Sequence, residues 1–333
     1  MTLRFARSPR HRGGDADVSV IGNLTIDVIM RGIDEMPLWG HEALSSSRSE
    51  TAAGQGAALA FASAALGLRV DIVANVGADD AGARFRREFI SAGVGVASLD
   101  AVAGGTTPLS VAVVRGDGER AFISDLGSLG PFDIEAVVAR RPVVLDASVV
   151  ALVGTSNLSG IDLAGAARVL AEARRRDALT VFDSGWDPDG FSASSVAALR
   201  AVLAETDIYL PNLDEARALT GSEGIVDVLA QLGRWCGGVV IVKGGEVGSY
   251  TLIDGVVTLV EAVPTVVDNA VGAGDVYDAG VVAGFLRGRD VLASMALGTA
   301  AASLYVSRRH DRFPTFDEVE DVAASVATTL LEG

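Results

Sequence analysis

Late in the chain, Gly272-Ala273-Gly274-Asp275 places two residues without side chains directly before a carboxylate. The apolar run at 281–286 then continues as a helix, so the loop sits at a helix N-terminus. Such a terminus gathers N–H groups without partners and roughly half a positive charge, enough to bind and neutralise a phosphoryl group without a lysine. The glycines let an anion approach the backbone closely. Asp275, in the first turn, would stand beside that pocket, where a carboxylate can take the proton of an attacking alcohol. The same residues also fit a plain tight turn in which Asp275 merely favours the helix start, and alone they leave both readings open. They are not a dinucleotide fingerprint, because Gly-x-Gly-x-x-Gly and an acidic residue ~20 positions on are both missing.

The elements that would position this loop alternate along the chain. Short β-branched runs at 18–21, 70–75, 149–153, 180–182, 208–210 and 239–243 read as strands. Stretches at 57–66, 83–92, 163–175, 194–204 and 226–235 read as helices, with apolar residues three and four apart. This order predicts βαβ units around a mainly parallel sheet. Two segments alternate apolar and polar residues around Arg115-Gly116-Asp117-Gly118-Glu119 and predict a hairpin, which cannot serve as a parallel crossover. With part of 33–50 it would form a small β lid standing off the main sheet. A second hairpin is expected across Asp254-Gly255.

With 333 residues, 49% hydrophobic and 21% charged, the chain can bury a full core. Its net charge of −16 repels phosphate backbones, which argues against general nucleic-acid binding and means that an anionic ligand must be held by local devices. No stretch reaches the ~18 apolar residues needed to cross a bilayer, so no membrane partner is expected. Residues 1–16 carry Arg4, Arg7, Arg10, His11 and Arg12 but no apolar signal core, and read as a loose tail before one domain spanning 17–330. The single cysteine, Cys236, fits a reducing, cytoplasmic setting. His11, His41 and His310 lack metal-ligand spacing, and no Ser-His-Asp arrangement emerges.

Residues 272–280 resemble the C-terminal signature of the PfkB, or ribokinase-like, carbohydrate kinases: Asp-Thr-x-Gly-Ala-Gly-Asp, followed by Phe or Tyr and Ala-Gly. The resemblance implies that Asp275 is the catalytic base and that the amides of Gly272, Ala273 and Gly274 form an anion hole. Asn269-Ala270 occupy the family's Asp-Thr positions, unless one residue is inserted after Asp268. Those positions help build the family's monovalent-cation site, so potassium activation is not carried over. Further features follow in family order. In Gly22-Asn23-Leu24-Thr25-Ile26-Asp27, after the first strand, Asp27 stands where the family binds sugar hydroxyls, with Asn23 beside it. Ala53-Gly54-Gln55-Gly56-Ala57-Ala58 resembles the N-terminal Gly-Gly signature, with Ala53 replacing its first glycine and Ala58 its asparagine. Gly54 would let a sugar approach the bare backbone, although a glycine turn opening an alanine-rich helix reads the same way.

The run 75–82, with Gly93-Val94, has the family spacing of a capped helix and its glycine stop. Thr107-Pro108 and Gly118-Glu119-Arg120 resemble lid strands. Asn212 and Glu215 match the family's Asn-x-x-Glu, associated with Mg²⁺ and phosphate, although the same spacing is ordinary capping-box chemistry. Lys243, Gly245 and Gly248 lie in a loop like the family's nucleotide-contacting one, with Lys243 either at a phosphate or a surface charge. Trp39 and Trp186 would pack on a sugar ring or in the core or lid. The expectation is a ribokinase-like three-layer αβα sandwich using ATP and Mg²⁺ on a sugar-like small molecule, pairing with a second copy through the lid. The alternatives are a nucleoside kinase of the same fold and a non-catalytic sugar-binding regulator.

Overall fold

The computed structural model describes residues 16–117, 119–130, 132–140, 142–158, 162–187, 190–267, 270–308 and 312–331. Most of the expected tail, together with Gly118, Asp268-Asn269 and His310, therefore lies outside the described residues. The chain opens with strands β1 (Val18–Gly22), β2 (Thr25–Arg31) and β3 (Ser47–Ala53), then helix α1 (Gln55–Ala65), β4 (Val70–Gly77), α2 (Asp80–Ser91) and β5 (Gly95–Val102). A hairpin of β6 (Leu109–Val114) and β7 (Arg120–Asp125) leads to α3 (Ile134–Arg140), β8 (Val149–Val153), α4 (Leu163–Arg175), β9 (Leu179–Asp183) and α5 (Ala193–Ala204). Next come β10 (Ile208–Tyr209), α6 (Leu213–Thr220), α7 (Ile225–Trp235), β11 (Val239–Lys243), and a hairpin of β12 (Gly248–Ile253) and β13 (Val256–Glu261). Helices α8 (Ala273–Leu286), α9 (Val291–Val306) and α10 (Phe316–Ala323) precede the last strand, β14 (Thr328–Leu331).

Ten strands form one sheet in the order β14-β13-β12-β11-β10-β9-β8-β1-β4-β5, parallel from β11 to β5 and antiparallel from β11 to β14. Strand β8 shows why the sheet needs helices on both faces: Val149, Ala151 and Val153 join one buried apolar cluster, Val150 and Leu152 the other. The first cluster includes residues of α1, α8 and α9, the second residues of α4, α5 and α7. From Asp275 onward every residue of α8 is buried, which requires close contacts around the whole helix. Gly280 supplies one, since a Cβ there would lie 2.7 Å from Gly298 Cα of α9.

The remaining four strands form a separate sheet, β3-β2-β6-β7. Of the stretch 33–50 expected to contribute to the lid, the last residues join this sheet as the start of β3. Residues 33–46 form no helix or strand, and the strand of that region starts at Ser47. Thr25–Arg31, for which the sequence reading names no element, crosses into the second sheet as β2. Asn23-Leu24 is the whole link between the two sheets on this side. Asp79 caps α2, accepting from Gly82 N at 2.8 Å, and also accepts from Thr107 N at 2.7 Å and Thr107 Oγ1 at 2.6 Å. It thus ties the start of α2 to the segment that enters β6.

Candidate active site

The parallel strands deliver their side chains to one edge of the sheet. Asn23 follows β1, Gly154 follows β8, Asp183 ends β9, Asn212 follows β10 and Lys243 ends β11. Strand order reverses between β1 and β8, and a crevice outside the carboxyl ends at such a point is where open α/β sheets hold ligands. Here Gly154 and Asn23 touch so closely that a Cβ on Gly154 would lie 2.2 Å from Asn23 Oδ1. A cavity of about 820 Å³ opens beside them, walled by the second sheet, α1, α2 and the start of α8. Asn23, Asp27, Gly54, Gln55, Gly272 and Asp275 all line it.

Gly272 caps α8 with φ +81°, a left-handed conformation that favours glycine, and the Ala273 N–H that follows donates to Ala270 O at 3.2 Å. Asp275 lies in that first turn, 9% exposed. Burial, joined by the charge of Asp183, pushes its carboxyl up to about 8, against the pull of Lys243 and a hydrogen bond from Gln55. Asp27 projects from β2 into the same cavity, and burial pushes it up to about 6 while Thr25 pulls back. Neither Asp27 Oδ1 nor the buried Asn23 Oδ1 has a hydrogen-bond partner among the described residues. Such atoms are costly unless a ligand donates to them.

Behind the α8 loop lies a buried polar network that the sequence reading passed over. Lys243 Nζ donates to Asp183 Oδ2 at 2.8 Å and to Asp278 Oδ1 at 3.1 Å. Asp278 lies one turn after Asp275, and the Lys243 side chain is only 11% exposed, so it is no surface charge. Burial opposes its ammonium, yet Asp183 and Asp278 more than reverse this and hold Lys243 well above its ordinary value. A Cβ on Gly274 would sit 3.4 Å from Lys243 Nζ, so the cation lies directly beneath the glycine loop. Carboxylate oxygens of Asp183, Asp275 and Asp278 come within 4.8 Å of one another, a spacing that could hold a metal, but Lys243 already bridges two of them.

Asn212 and Glu215 form a reciprocal capping box at α6, with Asn212 Oδ1 accepting from Glu215 N at 2.8 Å and Glu215 Oε2 from Asn212 N at 3.0 Å. Burial and the charge of Asp183 push Glu215 up to about 7. Asp183, Glu215, Asp275 and Asp278 are therefore four buried carboxylates served by one buried ammonium. This excess of acid suits a hard divalent cation with oxygen ligands, so the residues fit Mg²⁺.

The glycines divide by reason. A Cβ on Gly54 would meet Asn23 O at 2.6 Å, so that position is bare because two backbones cross there. Gly248, at φ +124°, faces Val260 O at 2.1 Å for the same reason, whereas Gly245, at φ +62°, shapes an open turn. Lys243, Gly245, Gly248, Asn212 and Glu215 do not line the 820 Å³ cavity. Trp39 is fully exposed, and Trp186 meets Phe191 edge-on at 5.6 Å, so neither tryptophan reaches the cavity.

A helix N-terminus with a buried carboxylate, set between a polar cavity and a charged network on a parallel sheet edge, has the parts of a phosphotransferase. Comparison with known proteins agrees. The family model described as pfkB family carbohydrate kinase matches residues 15–317. A 1-phosphofructokinase of Rhodobacter capsulatus is 30% identical over 314 residues, covering 90% of this chain and 89% of that protein. A nucleoside kinase of Methanothermobacter thermautotrophicus is 28% identical over 294 residues, 88% of this chain and 90% of that protein. The structure of Arabidopsis thaliana ribokinase with ribose and ATP superimposes with a TM-score of 0.78 at 22% identity, covering 92% of this chain and 98% of that one. The chain belongs to the pfkB carbohydrate kinase family. Its fold is ribokinase-like, and its reaction is ATP-dependent phosphorylation of a sugar-like small molecule. Among the described residues, no helix is long and apolar enough to cross a membrane.

Proposed function

We propose that Asp275 is the catalytic base and that the 820 Å³ cavity holds the acceptor. One observation carries this: Asp275 is buried in the first turn of α8 and still forms part of the cavity wall, so a hydroxyl in the cavity can reach it. Asp275 takes the hydroxyl proton as the oxygen attacks the γ-phosphorus, and ADP leaves. The amides of Gly272 and Gly274, with that of Ala273 once it leaves Ala270 O, hold charge on the transferred group, and Lys243 adds a fixed positive charge beneath them. Asp27 and Asn23 accept from acceptor hydroxyls through the oxygens that lack partners among the described residues. The sheet β3-β2-β6-β7 covers the acceptor as a lid. ATP lies on the opposite side of the α8 loop, toward Lys243, Gly245, Gly248 and Asn212. Mg²⁺, held from the side of Asn212 and Glu215, supplies charge neutralisation between ATP phosphates when bound.

Relatives named for a nucleoside and for a phosphofructose leave the acceptor open within the sugar-like class. Acceptor-dependent ADP formation across pentoses, hexoses, sugar phosphates and nucleosides tests the proposal. At least one should raise ADP release well above the ATP-only rate, and a flat panel would count against it.

A further inference from the structure

The charges on the cavity wall are lopsided. Among the described residues lining it, Asp27, Glu50, Glu88, Asp125 and Asp275 are acidic, and Arg84 is the one cation. That cation is already engaged: Arg84 Nε donates to Glu88 Oε1 at 2.7 Å and its Nη1 to Glu50 Oε1 at 2.7 Å. Glu50 lies on β3 and Arg84 and Glu88 on α2, so the triad joins the second sheet to the main body at the cavity rim. A phosphate or carboxylate on the acceptor would meet a wall rich in acids, with Glu50 and Glu88 beside it and already pairing the charge of the one guanidinium. Neutral hydroxyls are better served. Asn23, Thr25, Thr51, Gln55, Ser110 and Ser124 offer hydrogen bonds around the wall, and Asn23 Oδ1 and Asp27 Oδ1 accept without protein donors.

With the phosphotransfer proposed above as its premise, we infer that the cavity takes a neutral polyhydroxylated acceptor and turns away sugar phosphates and sugar acids. Glu50 and Glu88 set this preference by pairing the charge of Arg84 and adding their own beside the cavity. The two glutamates act as specificity residues rather than catalytic ones, since neither is needed to move a proton or a phosphoryl group. Their exchange for amides keeps shape and hydrogen bonding while removing the charge that engages Arg84.

The test pairs each neutral acceptor with its phosphorylated counterpart, ribose with ribose 1-phosphate and fructose with fructose 1-phosphate, and includes adenosine and uridine. The measurements are kcat/KM with ATP and calorimetric binding without it. Wild-type protein should favour the neutral member of a pair by ~100-fold or more, the scale of a like-charge penalty at a partly buried site. The double variant Glu50→Gln/Glu88→Gln, whose exchanged side chains are partly exposed, should narrow that gap by at least about tenfold, mainly through tighter binding of the phosphorylated member. Equal or better use of the phosphorylated member by wild-type protein overturns the inference. An unchanged gap in the double variant removes the role of the two glutamates. Binding selectivity without any turnover would instead count against the base assigned above and leave the charge preference standing.

Discussion

Asp275 carries two opposite demands. A base must be ionised, yet burial and the charge of Asp183 push this carboxyl up to about 8. On the proposed mechanism, lowering the pH through that value protonates the base, so kcat/KM should rise with pH up to a plateau above about 8. A profile flat from about pH 6 to 9 would show that a different group takes the proton. The linked effect on stability has the opposite direction. A carboxyl raised in the folded state gives stability that is full below its unfolded value and is lost as pH rises through about 8, so the free protein should melt lower at pH 9 than at pH 6. Lys243 makes the ionised form tolerable. Replacing it by Met leaves buried acids without their cation, and denaturant unfolding should show a loss of about 3–5 kcal/mol. Adding Asp278→Asn to Lys243→Met should recover part of that loss, because one uncompensated charge disappears; strict additivity of the two changes would mean that the pair is not coupled.

At the scale of elements, α8 and α9 explain why the motif extends to Gly280 when the chemistry ends at Asp275. The loop can present its amides only if α8 is held fast, and α8 is buried on all sides. Gly280 meets Gly298, and a Cβ on Gly284 would come within 2.6 Å of Ser294 Oγ. Gly280→Ala should therefore push the two helices apart and cost about 1–3 kcal/mol by thermal or denaturant unfolding, with a fall in kcat as the loop shifts. A variant as stable as wild type would show that the helices have slack the packing does not suggest. Elements were unequally legible in the sequence. Parallel strands such as 149–153 show as continuous apolar runs because both faces are covered, and the hairpins announce themselves through Gly116 and Asp254-Gly255. Strand β5, GVASLDAV, has no such run, since it lies at the sheet edge. Strand β14 is another edge strand of four residues. Strand β2 follows β1 after a link of only two residues, and that link holds neither Gly nor Pro to separate the two.

For the molecule as a whole, what escaped the sequence is long-range pairing. The glycine loop and Asp275 could be named from local spacing and Asp27, Asn23 and Gly54 from the family resemblance, and the fold brings Gly272, Asp275, Asp27, Asn23 and Gly54 to one cavity. Asp183 and Asp278 could not, because Lys243 reaches them across 60 and 35 residues and only the sheet order makes them neighbours. Gln55 was overlooked beside the more conspicuous Gly54, although its hydrogen bond reaches Asp275. The net charge of −16 gives the molecule a repulsive field for nucleotides, so ATP must be held by local devices, for which the helix terminus and Lys243 are the proposed ones. The proposed mechanism turns on proton removal by one carboxylate, and the decisive measurement is steady-state turnover of Asp275→Asn with the best acceptor of the panel. Turnover about 10²–10⁴-fold below wild type, with acceptor binding retained, is the expected result. Turnover within about tenfold of wild type would contradict the account, because general-base catalysis cannot be worth so little.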